Sequence, residues 1–295
     1  IVSRELGVPC IVGTGNATKL LKDGQYVTLN GKTGEVYHPL PLLKTSIMSS
    51  LLKPEPKNIL PNTALKTSTK IYVNLAEPEL AEEISKKNVD GIGLARAEFM
   101  IAQMGIHPKK LIHERKQKLL INNLVEGLSN FCKHFYPRPV VYRATDFKTN
   151  EYRSLEGGKI YEPEEPNPMM GYRGAYRYIN DSAVFELELE AIRNVREKYK
   201  NLNLMIPYVH LPWEMSQIKK IIAAKGLIRS STFKLWMMVE IPSNVILLED
   251  FISIGIDGVS IGSNDLTMLI LGIDRDNSEV APLFSEKDPA VLWAL

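Results

Sequence analysis

From about residue 69 onward, short apolar runs alternate with stretches whose apolar residues return every three or four positions. The runs read as strands and the periodic stretches as helices with one buried face. Strands are predicted at 71–75, 91–95, 140–142, 204–208, 235–239 and 258–262. A helix opens at Glu77-Pro78 with Leu80 and Ile84 on one face, and a long one runs from about 108 to 135 through Leu111, Leu120, Leu124, Leu128 and Phe131. Further helices are predicted at 182–199, between the strands at 204–208 and 235–239, and at 244–254. Strands alternating with helices imply a parallel sheet, and this many repeats favour a (β/α)8 TIM-type barrel over an open sheet. The expected fold is therefore an α/β barrel over 69–295, incomplete at its C-terminal end.

Earlier residues have another texture. Residues 1–38 carry short apolar runs broken by glycine: a helix end with a glycine stop at 3–9, strands at 10–13 and 26–29, an Asn30-Gly31 hairpin turn and a strand at 34–37. Residues 39–68 are rich in proline, lysine and serine with weak periodicity, and read as a linker.

Composition narrows the function classes. Of 295 residues, 44% are hydrophobic and 24% charged, as in ordinary globular proteins. The net charge of +2 supplies no field of one sign for nucleic acid or a membrane surface, so any anion must be held by a few placed cations. No apolar run approaches the roughly 18–20 residues of a membrane span. Cys10 and Cys132 lie far apart without metal-ligand spacing, and are expected as reduced, buried thiols of a cytoplasmic protein. The sequence starts at Ile1 with neither Met nor leader, which reads as an internal piece of a longer polypeptide.

The informative feature is where charge falls. Arg96 and Arg143 each follow an apolar strand, Glu240 follows Met237-Met238-Val239, and Asn264-Asp265 follow Ser260-Ile261-Gly262-Ser263. In a β/α barrel the carboxyl ends of the strands form the active rim. Each has a bland reading alone: a solvated arginine, a glutamate at a helix start, a Ser-Asn-Asp cap. Together on one rim they suit a hard cation and an anion. Two acids can hold Mg²⁺ while water and substrate oxygens fill its other positions, and arginines fork onto carboxylate or phosphate. Gly13-Thr14-Gly15 reads as a turn and Gly157-Gly158 as a flexible loop, and His38, His107, His113, His134 and His210 have no partner at ligand spacing.

Several of these segments resemble the phosphoenolpyruvate-utilising enzymes. Ile92-Gly93-Leu94-Ala95-Arg96-Ala97-Glu98-Phe99 is similar to the family's first arginine motif. Arg143-Ala144-Thr145-Asp146-Phe147-Lys148-Thr149-Asn150-Glu151-Tyr152-Arg153 resembles the second, in the form typical of the phosphoenolpyruvate synthase (pyruvate, water dikinase) branch. Asn167-Pro168-Met169-Met170-Gly171-Tyr172-Arg173-Gly174, Val239-Glu240-Ile241-Pro242-Ser243 and Ile261-Gly262-Ser263-Asn264-Asp265-Leu266-Thr267 follow in family order, closed by Leu271-Gly272-Ile273-Asp274-Arg275-Asp276. The resemblance implies that Arg96, Arg143 and Arg275, with Arg173, contact substrate phosphate or carboxylate. It implies that Glu240 and Asp265 hold Mg²⁺ and that the Gly262-Ser263-Asn264 backbone approaches pyruvate or phosphoenolpyruvate. Residues 1–38 resemble the tail of the swivelling phosphohistidine domain, a partner within the same parent chain. ATP binding, a gluconeogenic setting and a homo-oligomer are implied as well.

Departures accompany the resemblance. The phosphate-accepting histidine of the family would precede residue 1 and its proton-donating cysteine would follow residue 295, so the piece alone is expected to be inactive. Met268 and Ile270 stand where the family more often has polar residues. Pyruvate phosphate dikinase, the sugar phosphotransferase enzyme I, a magnesium-dependent pyruvate-enolate aldolase and a non-enzymatic assembly core are the alternative readings. The stretch from Phe147 to Arg153 favours the synthase branch over the first two.

Overall fold

The computed structural model describes residues 8–31, 33–38 and 67–295. The chain divides into two compact units, Ile1–Leu65 and Lys66–Leu295. In the first, β1 (Thr28–Asn30) pairs antiparallel with β2 (Glu35–Tyr37), joined by the turn predicted at Asn30-Gly31. Residues 10–13, expected as a strand, have no strand partner among the described residues, and the chain there leads through a turn into the short helix Ala17–Leu20. Cys10 is exposed, against the expectation that both thiols are buried. The linker at 39–68, apart from its last two residues, and the helix end at 3–9, apart from Val8 and Pro9, lie outside the described residues.

The second unit is built on six parallel strands in sequential order: β3 (Tyr72–Leu75), β4 (Gly91–Arg96), β5 (Val140–Arg143), β6 (Leu202–Ile206), β7 (Leu235–Val239) and β8 (Gly258–Ile261). Eight strands were expected of a complete barrel; the described residues form six, with β3 and β8 as the two edges. The sheet curls, because one guanidinium, that of Arg173, reaches both the residue three past β5 and the first turn after β8. Strand alternation divides the side chains into two layers. Ile92, Ala95, Val140, Tyr142, Leu202, Leu204, Leu235, Met237 and Val239 join the main core with the helices, while Leu94, Val141, Met205 and Met238 make a smaller cluster on the other face.

Gly93 sets which face Arg96 takes. The register slips at this residue: Val73 pairs with Ile92 and Asn74 with Leu94. This bulge puts Leu94 and Arg96 on the inner face and leaves Ile92 and Ala95 outside, whereas unbroken alternation would put Ile92 and Leu94 on one face. A Cβ at Gly93 would stand 3.0 Å from that of Tyr72.

The helices differ from expectation mainly at their breaks. The stretch at 108–135 is two helices, Pro108–His113 and Gln117–Phe135. Arg115 takes a left-handed φ of 58°, and the Lys116 amide returns to the Leu111 carbonyl at 2.7 Å, which closes the first helix as glycine closures usually do. The second helix buries Leu120, Leu124, Leu128, Phe131 and Cys132 against the sheet, and burial pushes the Cys132 thiol up to about 12. The helix expected at 244–254 starts at Pro242 and is divided at Leu247 into Pro242–Ile246 and Leu248–Ser253. The strand expected at 204–208 ends at Ile206, since Pro207 has no amide proton to offer a ladder. No helix among the described residues is long and apolar enough to cross a membrane.

The glycine pair expected as a flexible loop is instead a tight packing point. Gly157 is left-handed (φ 81°), and Gly158 is buried at the start of the helix Gly158–Tyr161. A Cβ on Gly158 would lie 2.1 Å from the Tyr152 carbonyl oxygen and 2.8 Å from the Arg153 Cα. Gly158→Ala is therefore expected to destabilise the fold by about 1–3 kcal/mol, the usual cost of overpacking. Urea unfolding should show a lower midpoint at unchanged slope, and a midpoint equal to that of the parent sequence would contradict the packing described.

Candidate active site

The carboxyl ends of β4 to β8 bring the charged residues together. Arg96 and Arg143 are register partners at the ends of β4 and β5, both half-buried. Arg143 is gripped by acids: its Nη2 lies 2.6 Å from Glu98 Oε1 and its Nη1 3.7 Å from Asp146 Oδ2. Burial works against its charge, but Glu98, Asp146 and Glu240 outweigh burial and hold the guanidinium more firmly protonated.

Arg173 is the most connected group. Its Nε and Nη2 donate to the two oxygens of Asp146 at 3.0 and 2.5 Å, a bidentate fork. The same Nη2 lies 3.0 Å from Asp265 Oδ2, and Nη1 donates to the Met169 carbonyl at 3.2 Å. Beneath it lies the ring of Tyr208, 4.0 Å from the guanidinium carbon to the ring centre. Asp265 sits in the first turn of the helix Ser263–Leu271, a placement that the helix dipole favours, and its Oδ1 lies 3.7 Å from Arg275 Nη2.

Glu240 is buried at the end of β7. Burial, then the carboxylates of Asp146 and Asp265, push its carboxyl up to about 8, while Arg143 and Arg173 pull the other way. Its Oε1 accepts the Tyr208 amide at 2.6 Å. Tyr208 can aim that amide only because it adopts a left-handed φ of 49°, rare for a bulky residue and costing about 1–3 kcal/mol. Its hydroxyl donates to the Met169 carbonyl at 2.9 Å. The start of the following helix is fixed by Asn244, whose side-chain oxygen accepts the Glu240 and Ile241 amides at 3.2 and 3.0 Å.

Gly262 completes the rim. A Cβ there would lie 2.7 Å from the Glu240 Cβ and 2.8 Å from its Oε2, so only glycine lets the end of β8 pass this carboxylate. The structure thus gathers Arg143, Arg173, Glu240, Gly262, Asp265 and Arg275, with Arg96 alongside. Ser263 instead donates its hydroxyl to Glu286 at 2.7 Å, and Asn264 is exposed. Met268 is buried and Ile270 half-buried on the helix that carries Asp265. Glu98, Asp146 and Tyr208 are functional-looking residues that sequence reasoning passed over. Glu98 and Asp146 sit inside the two arginine motifs, and an acid two or three residues after a strand-end arginine was the available signal. Among the described residues, the buried polar atoms near this rim without a hydrogen-bond partner include Glu98 Oε2, Arg143 Nε and Thr267 Oγ1.

A divalent cation would find hard oxygen donors here. Among the described residues no group of three or more His, Cys, Asp and Glu side chains is arranged to hold a metal. Two carboxylates from separate strand ends suit Mg²⁺, which keeps several positions for water and ligand oxygens. The crowding that raises the Glu240 carboxyl is the electrostatic condition a cation would relieve.

Comparison with known proteins agrees with the sequence motifs. Residues 54–295 match the PEP-binding domain of the PEP-utilising enzymes, and residues 1–34 match the mobile domain of the same enzymes. The chain is 47% identical to a probable phosphoenolpyruvate synthase of Staphylothermus marinus, over 99% of this chain and 36% of that protein. It is 46% identical to the phosphoenolpyruvate synthase of Aeropyrum pernix, over 100% of this chain and 37% of that protein. It is also 41% identical to the Pseudomonas aeruginosa phosphoenolpyruvate synthase, over 99% of this chain and 39% of the relative. The chain therefore spans little more than a third of these relatives. With a domain match covering most of its length, the chain belongs to the phosphoenolpyruvate-utilising enzyme family.

Proposed function

We propose that this chain is the substrate-holding part of a phosphoenolpyruvate synthase, which converts pyruvate, ATP and water to phosphoenolpyruvate, AMP and phosphate. The observation that carries the reading is the rim itself: Glu240 and Asp265 interleaved with Arg143, Arg173 and Arg275 at the strand ends. On this reading, Arg96, Arg143 and Arg275 bind the phosphate or carboxylate of the substrate. Arg173, already forked onto Asp146, orients Asp265 and adds positive potential. Glu240 and Asp265 hold Mg²⁺, which when bound supplies Lewis-acid stabilisation of the enolate oxygen. The Gly262-Ser263-Asn264 backbone borders the substrate, and the buried Tyr208 ring underlies the Arg173 guanidinium.

The six strands are read as part of an eight-stranded barrel, and residues 1–34 as part of the domain that ferries phosphate on a histidine. Carried with the reading, and resting on resemblance alone, are ATP as phosphate source, a cytoplasmic gluconeogenic setting and homo-oligomeric assembly. The Phe147–Arg153 stretch favours the synthase over the related dikinase. Phe147 packs on Tyr152 at 4.6 Å between ring centres, and Arg153 donates to the Glu162 carbonyl at 2.9 Å. This motif therefore braces the loop beside Arg143.

Oxalate imitates the pyruvate enolate and gives a direct test. Calorimetry on this chain should show oxalate binding that requires Mg²⁺ or Mn²⁺ and is lost in Glu240→Ala and in Asp265→Ala, with the circular dichroism of both variants unchanged. Unchanged binding in both variants would remove these acids from the metal site.

The arginines are expected to act as forks rather than as point charges, so lysine should serve poorly in their place. In the longer synthase, Arg96→Lys or Arg143→Lys should lower turnover at least tenfold, about 1.4 kcal/mol of transition-state stabilisation. A near-parental rate in either variant would reduce that arginine to a charge on the rim.

A further inference from the structure

On the outer side of the sheet, the helix Ala183–Lys198 presents Glu188 to the end of β5. The residue is buried beside Phe185, Leu189 and Ile192, an apolar setting in which a carboxylate is costly without compensation. One oxygen, Oε2, accepts the Tyr142 hydroxyl at 2.7 Å and the Thr145 amide at 3.0 Å. The other, Oε1, has no hydrogen-bond partner among the described residues. Glu188 borders a cavity of about 20 Å³, room for about one water. Nothing in the proposed chemistry uses this acid.

Its contacts lead to the rim. Thr145 and Asp146 are consecutive, and their amides are gripped from opposite sides of the strand end. The Thr145 amide goes to Glu188, and the Asp146 amide goes to Glu98 Oε1 at 2.8 Å. The Thr145 carbonyl in turn accepts the Tyr178 hydroxyl. Asp146 then holds Arg173 by its fork and lies near Arg143. We propose that Glu188 is a positioning residue for the arginine rim: its carboxylate anchors Thr145 so that Asp146 meets Arg173 and Arg143, and loss of its charge loosens that anchor. The inference rests on the reading of the rim as a substrate site.

The physics fits this role. A hydrogen bond to a charged acceptor is roughly twice as strong as one to a neutral acceptor. Burial pushes the Glu188 carboxyl up to about 7, despite the hydrogen bonds from Tyr142 and Thr145, and Glu98 adds to the rise. The groups that face it cannot neutralise it. The hydroxyls of Tyr142, Tyr178 and Tyr152 are themselves pushed far up by burial. Across the cavity, Arg177 and His107 are committed to Glu162, and Lys109 to Asp181. An acid raised in the folded state stabilises the fold at low pH and loses that contribution as pH rises, here between about 4.5 and about 7. Ionised Glu188 thus costs stability while tightening the rim. A residue with a merely structural role would not separate the two.

The test is Glu188→Gln in this chain, a neutral side chain of the same shape. At pH 8 the variant should melt at a higher temperature than the parent sequence, yet bind oxalate with Mg²⁺ at least about tenfold more weakly. At pH 6 both differences should shrink. In the parent, the Thr145 amide resonance should titrate with a midpoint near pH 7, and it should stay fixed in the variant. A variant that loses stability and binding together, or binds oxalate as tightly as the parent at pH 8, overturns the proposal. So does a Thr145 titration that persists in the variant, which would assign it to a group other than Glu188. If the parent itself binds no oxalate with Mg²⁺, the reading of the rim as a substrate site falls, and the Thr145 titration alone decides the role of Glu188.

Discussion

A carboxylate buried at the end of a strand must be balanced, and Asp146 is balanced through one fork. Both its oxygens meet Arg173, and that guanidinium continues to Asp265, the Met169 carbonyl and the face of Tyr208. Through this one pairing the loops after β5 and β6 and the helix after β8 are fixed relative to each other. Breaking such a pair leaves an uncompensated buried charge, which costs about 3–5 kcal/mol. The rest of the rim is arranged around it. Arg143 sits between Glu98 and Asp146, and Glu240 feels Asp146 and Asp265 together.

Such a cluster is poor economy for stability alone. Replacing buried ion pairs by apolar residues of similar volume is often neutral or favourable. The stability of the unit comes from elsewhere, from the aliphatic and aromatic layer between the sheet and its helices. Leu120, Leu124, Leu128 and Phe131 on one helix are all fully buried, and each such side chain contributes about 1.5–3 kcal/mol. That layer holds the strand ends stiffly enough for Tyr208 to remain left-handed and for Glu240 to remain in a place that raises its carboxyl. Strain and perturbed acids concentrate on the inner rim, where they can serve binding.

Much of the fold was legible in the sequence because strands buried on both faces leave short apolar runs. The runs at 91–95, 140–142 and 235–239 became β4, β5 and β7 with little change. The breaks were not legible. Arg115 closes a helix in a conformation that glycine usually takes, and no residue pattern announces that. Cys10 to Gly13 have the apolar character of a strand but pair with none of the described residues. At the site, Arg143, Glu240 and Asp265 could be read because they interrupt or follow apolar runs. Glu98 and Asp146 offered only the faint signal of an acid two or three residues past a strand-end arginine, and Glu188 offered none, because their roles depend on contacts 27 to 48 residues away in sequence. Glu188 in particular looks like any other acid on an amphipathic helix until its neighbour on β5 is known.

The bulge at Gly93 shows how the two layers constrain each other. The sheet must bury Ile92 and Ala95 against the helices and also turn Arg96 inward. Strict alternation cannot place Ile92 outside and Leu94 inside, so one residue is spent without a partner, and it is a glycine pressed against Tyr72. Past the end of β8 a glycine meets a different need, clearance, where Gly262 gives way to Glu240. In both places the position of a charged group on the rim depends on a glycine, at Gly93 within the strand of Arg96 and at Gly262 beside the strand of Glu240. The sheet is thus fitted from both sides, with the outer layer supplying cohesion and two glycines making room for the charges inside.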